Sequence, residues 1–236
     1  MHFYRRWQPV AAISFDLDDT LYDNGPAIER AEQWMLAHLR SEYLATAMLD
    51  QARWQALKRE VLLASPELRH DVSLTREHCI REAMMAGGMA ESQASEEAVR
   101  VFAAFLAERS KIEVSDETHA LLVRLAERYP LAVITNGNLD LAQAGLADYF
   151  TLVCKAGEGA RMKPAPDMFR QVQESLGLAP EQILHVGDHP ETDVLGARLH
   201  GFRAAWLNER QQPWRQLKLL PDVELATLDE LGELLL

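Results

Sequence analysis

Asp16 and Asp18 stand two residues apart at the end of the apolar run 11–15, within the string Asp16-Leu17-Asp18-Asp19-Thr20. In an extended chain, residues i and i+2 project to the same side, so the two carboxyls face one space. Two acids held together away from water are costly unless a cation joins them or one of them keeps its proton. The pair therefore fits a metal site, a proton-transfer site, or both. On these residues alone a plainer reading stays open, in which Asp18 and Asp19 cap a helix that begins near Tyr22.

Further along the chain the same kind of residue follows other apolar runs. Thr135-Asn136-Gly137 follows 131–134, and Gly187-Asp188 with Asp193 follows 183–186, with Lys163-Pro164 between the two. Singly, these read as a turn, a helix cap and a solvated charge before a proline. They gain meaning from the elements that carry them. Short apolar runs at 11–16, 131–135, 152–155, 183–186 and 203–207 end in polar residues, and from 131 onward helical stretches separate them. Strands alternating with helices predict an α/β fold, with a parallel sheet flanked by helices on both faces. In such a sheet the loops at the carboxyl ends of the strands meet in one crevice, which would gather these residues.

Helices are expected at 115–128, opened by Ser115, Asp116 and Glu117, and at 165–176 and 192–200. Between the first and second sheet strands lies a stretch too long for a crossover, with helical periodicity at 27–49, 52–64, 75–86 and 95–108. It predicts an inserted four-helix bundle with Trp34, Trp54, Met84, Met85, Phe102 and Phe105 as packing, and Gly87-Gly88 as a helix stop. The expected domains are thus 1–23 with 113–236, and 24–112. A surface loop at 208–221 carrying Trp214 precedes a last strand at 224–226 and a helix at 228–235.

The bulk numbers narrow the classes. The chain has 236 residues, 48% of them hydrophobic and 25% charged, and a net charge of -12, which disfavours a nucleic-acid or anionic-membrane surface. Two distant cysteines without a metal-type spacing read as free thiols of a reducing, cytoplasmic protein. No stretch reaches the length of a signal core or a membrane span.

In order along the chain, these four groups resemble the four motifs of the haloacid dehalogenase superfamily: Asp16 to Thr20 the first, Thr135 the second, Lys163 the third, Gly187-Asp188 with Asp193 the fourth. The resemblance covers about 10–208, and 24–112 sits where that superfamily inserts a helical cap into its Rossmann-like core. It implies a Mg²⁺-dependent phosphoryl transfer in which Asp16 is the nucleophile and Asp18 the general acid and base. Asp16, Asp188 and the Asp18 carbonyl would hold the metal, with Asp193 behind them steadying a metal-bound water or Lys163. Leu17 backbone, Thr135, Asn136 and Lys163 would hold the phosphate.

Asp18 separates two chemistries within that superfamily. Expelling a halide needs no acid and the dehalogenase branch typically lacks this carboxylate, so the resemblance implies a phosphatase. The opening 1–24, the string Arg161-Met162-Lys163-Pro164-Ala165-Pro166 and the segment 187–193 are similar to bacterial phosphatases acting on flavin mononucleotide (FMN) and on 5-amino-6-(5-phospho-D-ribitylamino)uracil, of riboflavin metabolism. A broad sugar-phosphate or nucleotide phosphatase is the alternative. A non-catalytic Mg²⁺-binding protein or a phospho-receiver is the reading from another class, though a receiver's acidic pair is adjacent rather than i and i+2. On the first helix of the insertion, Arg30, Trp34 and His38 are candidates for touching the substrate. The oligomeric state is left open.

Overall fold

The computed structural model of the protein describes residues 1–236 apart from Glu158, Trp214, Gln216 and Leu217, so the expectation for Trp214 lies outside the described residues. Among the described residues seven strands form one sheet: β1 (His2–Phe3), β2 (Ala12–Phe15), β3 (Leu131–Thr135), β4 (Leu152–Lys155), β5 (Ile183–Gly187), β6 (Arg203–Leu207) and β7 (Val223–Leu225). Their order is β1-β7-β6-β5-β2-β3-β4. All neighbours are parallel except β1 against β7. Every residue of β2, β3 and β5 is buried, the pattern of a parallel sheet covered on both faces. The short edge strand β1 has no alternation the sequence could have flagged.

The order places β2 between β3 and β5, so successive strands leave it in opposite directions. That reversal opens a crevice at the carboxyl ends of the strands, where α/β sheets bind their ligands. The residue after β2 is Asp16. One face is closed by the cluster of Ala12, Ile134, Met168, Phe169, Phe202 and Trp206. Phe169 comes from a helix, Asp167–Leu176, that stops where Gly177 turns left-handed at φ 64°, as helix ends commonly do.

The chain divides into two compact units. One comprises 1–23, 113–137 and 145–236; the other comprises 24–112 with 138–144. The sequence alone groups 138–144 with the sheet. The segment instead buries Leu139 and Leu141, and Asn138 donates to Ser73, the Asp140 amide to Ser110 and Gln143 to the Ala107 carbonyl. Nothing in its composition distinguishes it from an ordinary loop.

The second unit is built on α1 (Asn24–Glu42), α2 (Gln51–Ala64), α3 (Val72–Ala86) and α4 (Glu91–Arg109). Its core holds Met35, Leu39, Trp54, Cys79, Ile80, Met84 and Phe105, with Trp34, Met85 and Phe102 against it. The expected helix 27–49 is shorter, because Thr46 turns back to bond the Leu39 carbonyl and Asp50 starts α2 by capping the Arg53 amide. Asp71 does the same for α3, which adds a turn before the expected 75–86. Gly88, at φ 93°, follows the end of α3 as the glycine pair predicts.

In the first unit α5 (Asp116–Ala126) begins at Ser115, whose hydroxyl accepts from the Thr118 amide, and buries Leu121, Leu122 and Leu125. Both cysteines are free and buried, and burial pushes each thiol up to about 11. Among the described residues no helix is long and apolar enough to cross a membrane.

Candidate active site

Asp16 leaves β2 with its amide bonded to the Val186 carbonyl of β5 at 2.9 Å. Its side chain faces Lys163, which is 3% exposed. The lysine ammonium has three donors, and three acceptors meet it: Asp16 Oδ1 at 2.7 Å, Asp193 Oδ1 at 2.7 Å and the Ile134 carbonyl at 2.6 Å. Burial alone would strip the proton from this amine, but the two carboxylates outweigh it and raise the pKa. Lys163 is thus a fixed positive charge against Asp16. Its backbone is held by the Asn136 side chain, whose Oδ1 accepts from Lys163 N at 2.7 Å and whose Nδ2 donates to Lys163 O at 3.2 Å. Thr135, buried at the end of β3, accepts from the Gly137 amide at 3.0 Å.

Asp18 does not cap a helix. It forms an isolated parallel bridge with Tyr22, the Asp19 amide donating to the Tyr22 carbonyl at 2.9 Å, and α1 begins only at Asn24. Tyr22 donates its hydroxyl to Asp18 Oδ1. A Cβ on Gly137 would lie 2.6 Å from Asp18 Oδ2, so the carboxyl rests between a tyrosine and a glycine backbone. Asp19 takes a left-handed φ of 58°, which Asp tolerates better than most residues, and pairs with Arg210 at 3.1 Å. Leu17 is wholly buried and offers only backbone; its carbonyl accepts from Thr20 and Leu21.

The carboxylates of Asp16, Asp188 and Asp193 converge, with one oxygen of each within 4.8 Å of the others, a group that could hold a metal ion. Asp188 is positioned by Trp206, whose indole donates to the Asp188 carbonyl at 2.8 Å. The helix cap here is not Asp188 but His189, whose Nδ1 accepts from Glu191 and Thr192. Burial, then the neighbouring charges of Asp193 and Asp19, push the Asp188 carboxyl up to about 7. Burial likewise raises Asp16, against the opposing pull of Lys163. Asp193 behaves differently: burial raises it, but Lys163 and His185 outweigh that and hold it well below the carboxylate range. Raised carboxyl values on Asp16 and Asp188 mark a place where a cation would stabilise their charged forms. Hard carboxylate oxygens are the donor set of a divalent cation such as Mg²⁺.

The structure therefore brings together Asp16, Asp18, Thr135, Asn136, Lys163, Asp188 and Asp193 in one unit. Within the second unit, Arg30 donates to the Glu108 and Lys111 carbonyls, and Trp34 stacks on His38 at 5.0 Å. Sequence reasoning passed over Ser14, His185 and the role of Gly187. A Cβ on Gly187 would lie 2.4 Å from Asp193 Cγ. Gly187→Ala is expected to push Asp193 off Lys163 and to cost about 1–3 kcal/mol of stability through overpacking. Turnover should fall about 10- to 100-fold, read by thermal unfolding alongside phosphate release.

A family model described as haloacid dehalogenase-like hydrolase matches residues 10–201. Over 239 aligned residues, spanning all of both chains, the protein is 39% identical to the 5-amino-6-(5-phospho-D-ribitylamino)uracil phosphatase YigB of Escherichia coli. It is 38% identical to the phosphoserine phosphatase of Thermus thermophilus over 66% of this chain and 63% of that one. A crystal structure named 2-haloacid dehalogenase, from Pseudomonas syringae, superposes with a TM-score of 0.90 at 32% identity, over 95% of this chain and 97% of that one.

Proposed function

We propose, for a chain that belongs to the haloacid dehalogenase-like hydrolase family and is a phosphoric monoester hydrolase, that it is a Mg²⁺-dependent phosphatase of riboflavin metabolism acting on 5-amino-6-(5-phospho-D-ribitylamino)uracil and on FMN, with 24–112 as its cap domain. The substrate reading rests on one observation, the 39% identity to the E. coli phosphatase along the whole of both chains. The chemistry rests on the buried contact of Lys163 with Asp16 beside Asp18 and Asp188.

Asp16 attacks phosphorus opposite the leaving oxygen and becomes an aspartyl-phosphate, dividing one hard hydrolysis into two displacements. Asp18 gives its proton to the departing ribityl alkoxide, then takes one from the water that attacks the aspartyl-phosphate. Lys163, the Thr135 hydroxyl and backbone amides after Asp16 and Thr135 offset the charge on the phosphoryl oxygens. Mg²⁺ would be held by the carboxylates of Asp16 and Asp188 and the Asp18 carbonyl, and when bound it supplies positive charge that offsets phosphate and Asp16 together. Asp193 is left to hold Lys163.

Metal binding must compete with the proton on Asp188. With its folded value raised from 3.8 to about 7, the folded state keeps a proton that the unfolded chain has already lost between those values. Without metal, stability therefore declines as pH rises through that window. A cation should stabilise most above it, where the carboxylate is already bare. The Mg²⁺-induced rise in Tm is accordingly expected to be small at pH 5 and larger at pH 8, and to shrink in Asp188→Asn. An equal rise at both pH values would contradict this ligand set.

The substrate assignment is tested by phosphate release from a panel of phosphomonoesters containing FMN, the phosphoribitylamino pyrimidine, phosphoserine, sugar phosphates and nucleotides, with Mg²⁺ and with EDTA. Turnover concentrated on the two ribityl phosphates supports it. Comparable kcat/KM across the panel would leave a broad-specificity phosphatase instead.

A further inference from the structure

The register of the sheet sets Ser14 of β2 beside His185 of β5, and both are sealed from solvent, at 0% and 1% exposure. A hydroxyl and an imidazole inside apolar strands are costly without partners. Ser14 Oγ lies 2.9 Å from His185 Nδ1, and His185 Nε2 lies 3.3 Å from Asp193 Oδ1. The ionised Asp193 carboxylate can only accept. Nε2 therefore carries a ring proton, and in a neutral ring Nδ1 then accepts from the Ser14 hydroxyl. Burial lowers the His185 pKa, which agrees with a neutral ring, and Phe169 stands edge-on to it at 5.4 Å.

We propose that Ser14 and His185 are positioning residues for the phosphoryl-transfer site, a buried relay that fixes the Asp193 carboxylate so that Lys163 stays aimed at Asp16. Asp193 Oδ2 is tied to the His189 amide at 2.9 Å, while Oδ1 serves Lys163 and His185 together. Two ties from different elements set the plane of the carboxylate. With only Lys163 on Oδ1 the group can turn about its bond to the His189 amide, leaving Asp16 and the Ile134 carbonyl alone to aim the ammonium. Neither Ser14 nor His185 touches the reacting atoms, and the inference rests on the phosphatase reading of the site.

The full-length protein is assayed with p-nitrophenyl phosphate and Mg²⁺ as wild type, Ser14→Ala, His185→Leu, His185→Gln, Asp193→Asn and the double variant His185→Leu with Asp193→Asn. His185→Leu should lower kcat about 10- to 100-fold, as loss of an orienting partner does, and leave KM nearly unchanged. Ser14→Ala should lower kcat several-fold less, and the amide of His185→Gln should restore part of the loss. In the Asp193→Asn background His185→Leu should cost nothing more, because the relay acts through Asp193. Additive losses, or an unchanged kcat in both His185→Leu and Ser14→Ala, would overturn the proposal. Nitrogen-15 NMR of the wild type gives a readout without turnover: His185 neutral with the proton on Nε2 supports the relay, and a proton on Nδ1 or an imidazolium overturns it. If the wild type releases no phosphate, the phosphatase reading falls while the tautomer still judges the relay.

Discussion

Asp16→Asn is expected to lower phosphomonoester turnover by on the order of 10⁴ or more, as removal of a nucleophile does, with the fold intact. The amide has the size and shape of the carboxyl and can still accept from Lys163, but it cannot form the acyl-phosphate. Stability should hold or rise, because the wild-type carboxyl is buried beside Asp193 and Asp18, and burial already disfavours its charge. The loss would therefore be chemical rather than structural. Steady-state kinetics and thermal unfolding on the same preparation separate the two. A variant that keeps more than about a hundredth of wild-type turnover would mean that another group attacks phosphorus.

Asp18→Asn is expected to lower turnover of alkyl phosphates by about 10²–10⁴, the usual worth of a positioned acid. The loss in kcat/KM should be smaller for p-nitrophenyl phosphate, whose leaving oxygen departs without a proton. In the structure the Asp18 carboxyl accepts from the Tyr22 hydroxyl and lies against the Gly137 backbone. The same residue bears on the similarity to a structure named 2-haloacid dehalogenase. Halide leaves without protonation, so a site organised around Asp18 serves no purpose there. The wild type should release no halide from 2-haloacids, and equal losses in kcat/KM on alkyl and aryl phosphates would deny Asp18 its role as acid.

Much of this was legible in the sequence because parallel strands announce themselves as short apolar runs and place the next residue at the crevice. Asp16, Thr135 and Asp188 each follow such a run, and β2, β3 and β5 lie side by side. Lys163 follows no strand, and only its place in a known motif order marked it. The hidden parts depend on register. Ser14 and His185 look like stray polar residues in apolar runs until β2 and β5 pair them. Gly187 carries no signal of its own in the sequence, and its role shows only where Asp193 packs against it. The segment 138–144 is a loop by composition, and only tertiary contacts assign it to the helical unit.

Acid quench during steady-state turnover of FMN with Mg²⁺, followed by peptide mass mapping, would show where the phosphoryl group rests. Phosphate on the peptide containing Asp16, absent from Asp16→Asn, is the predicted result. Phosphate on any other residue, or turnover with no phosphorylated enzyme under rapid quench and undiminished in Asp16→Asn, would contradict an aspartyl-phosphate mechanism at this site.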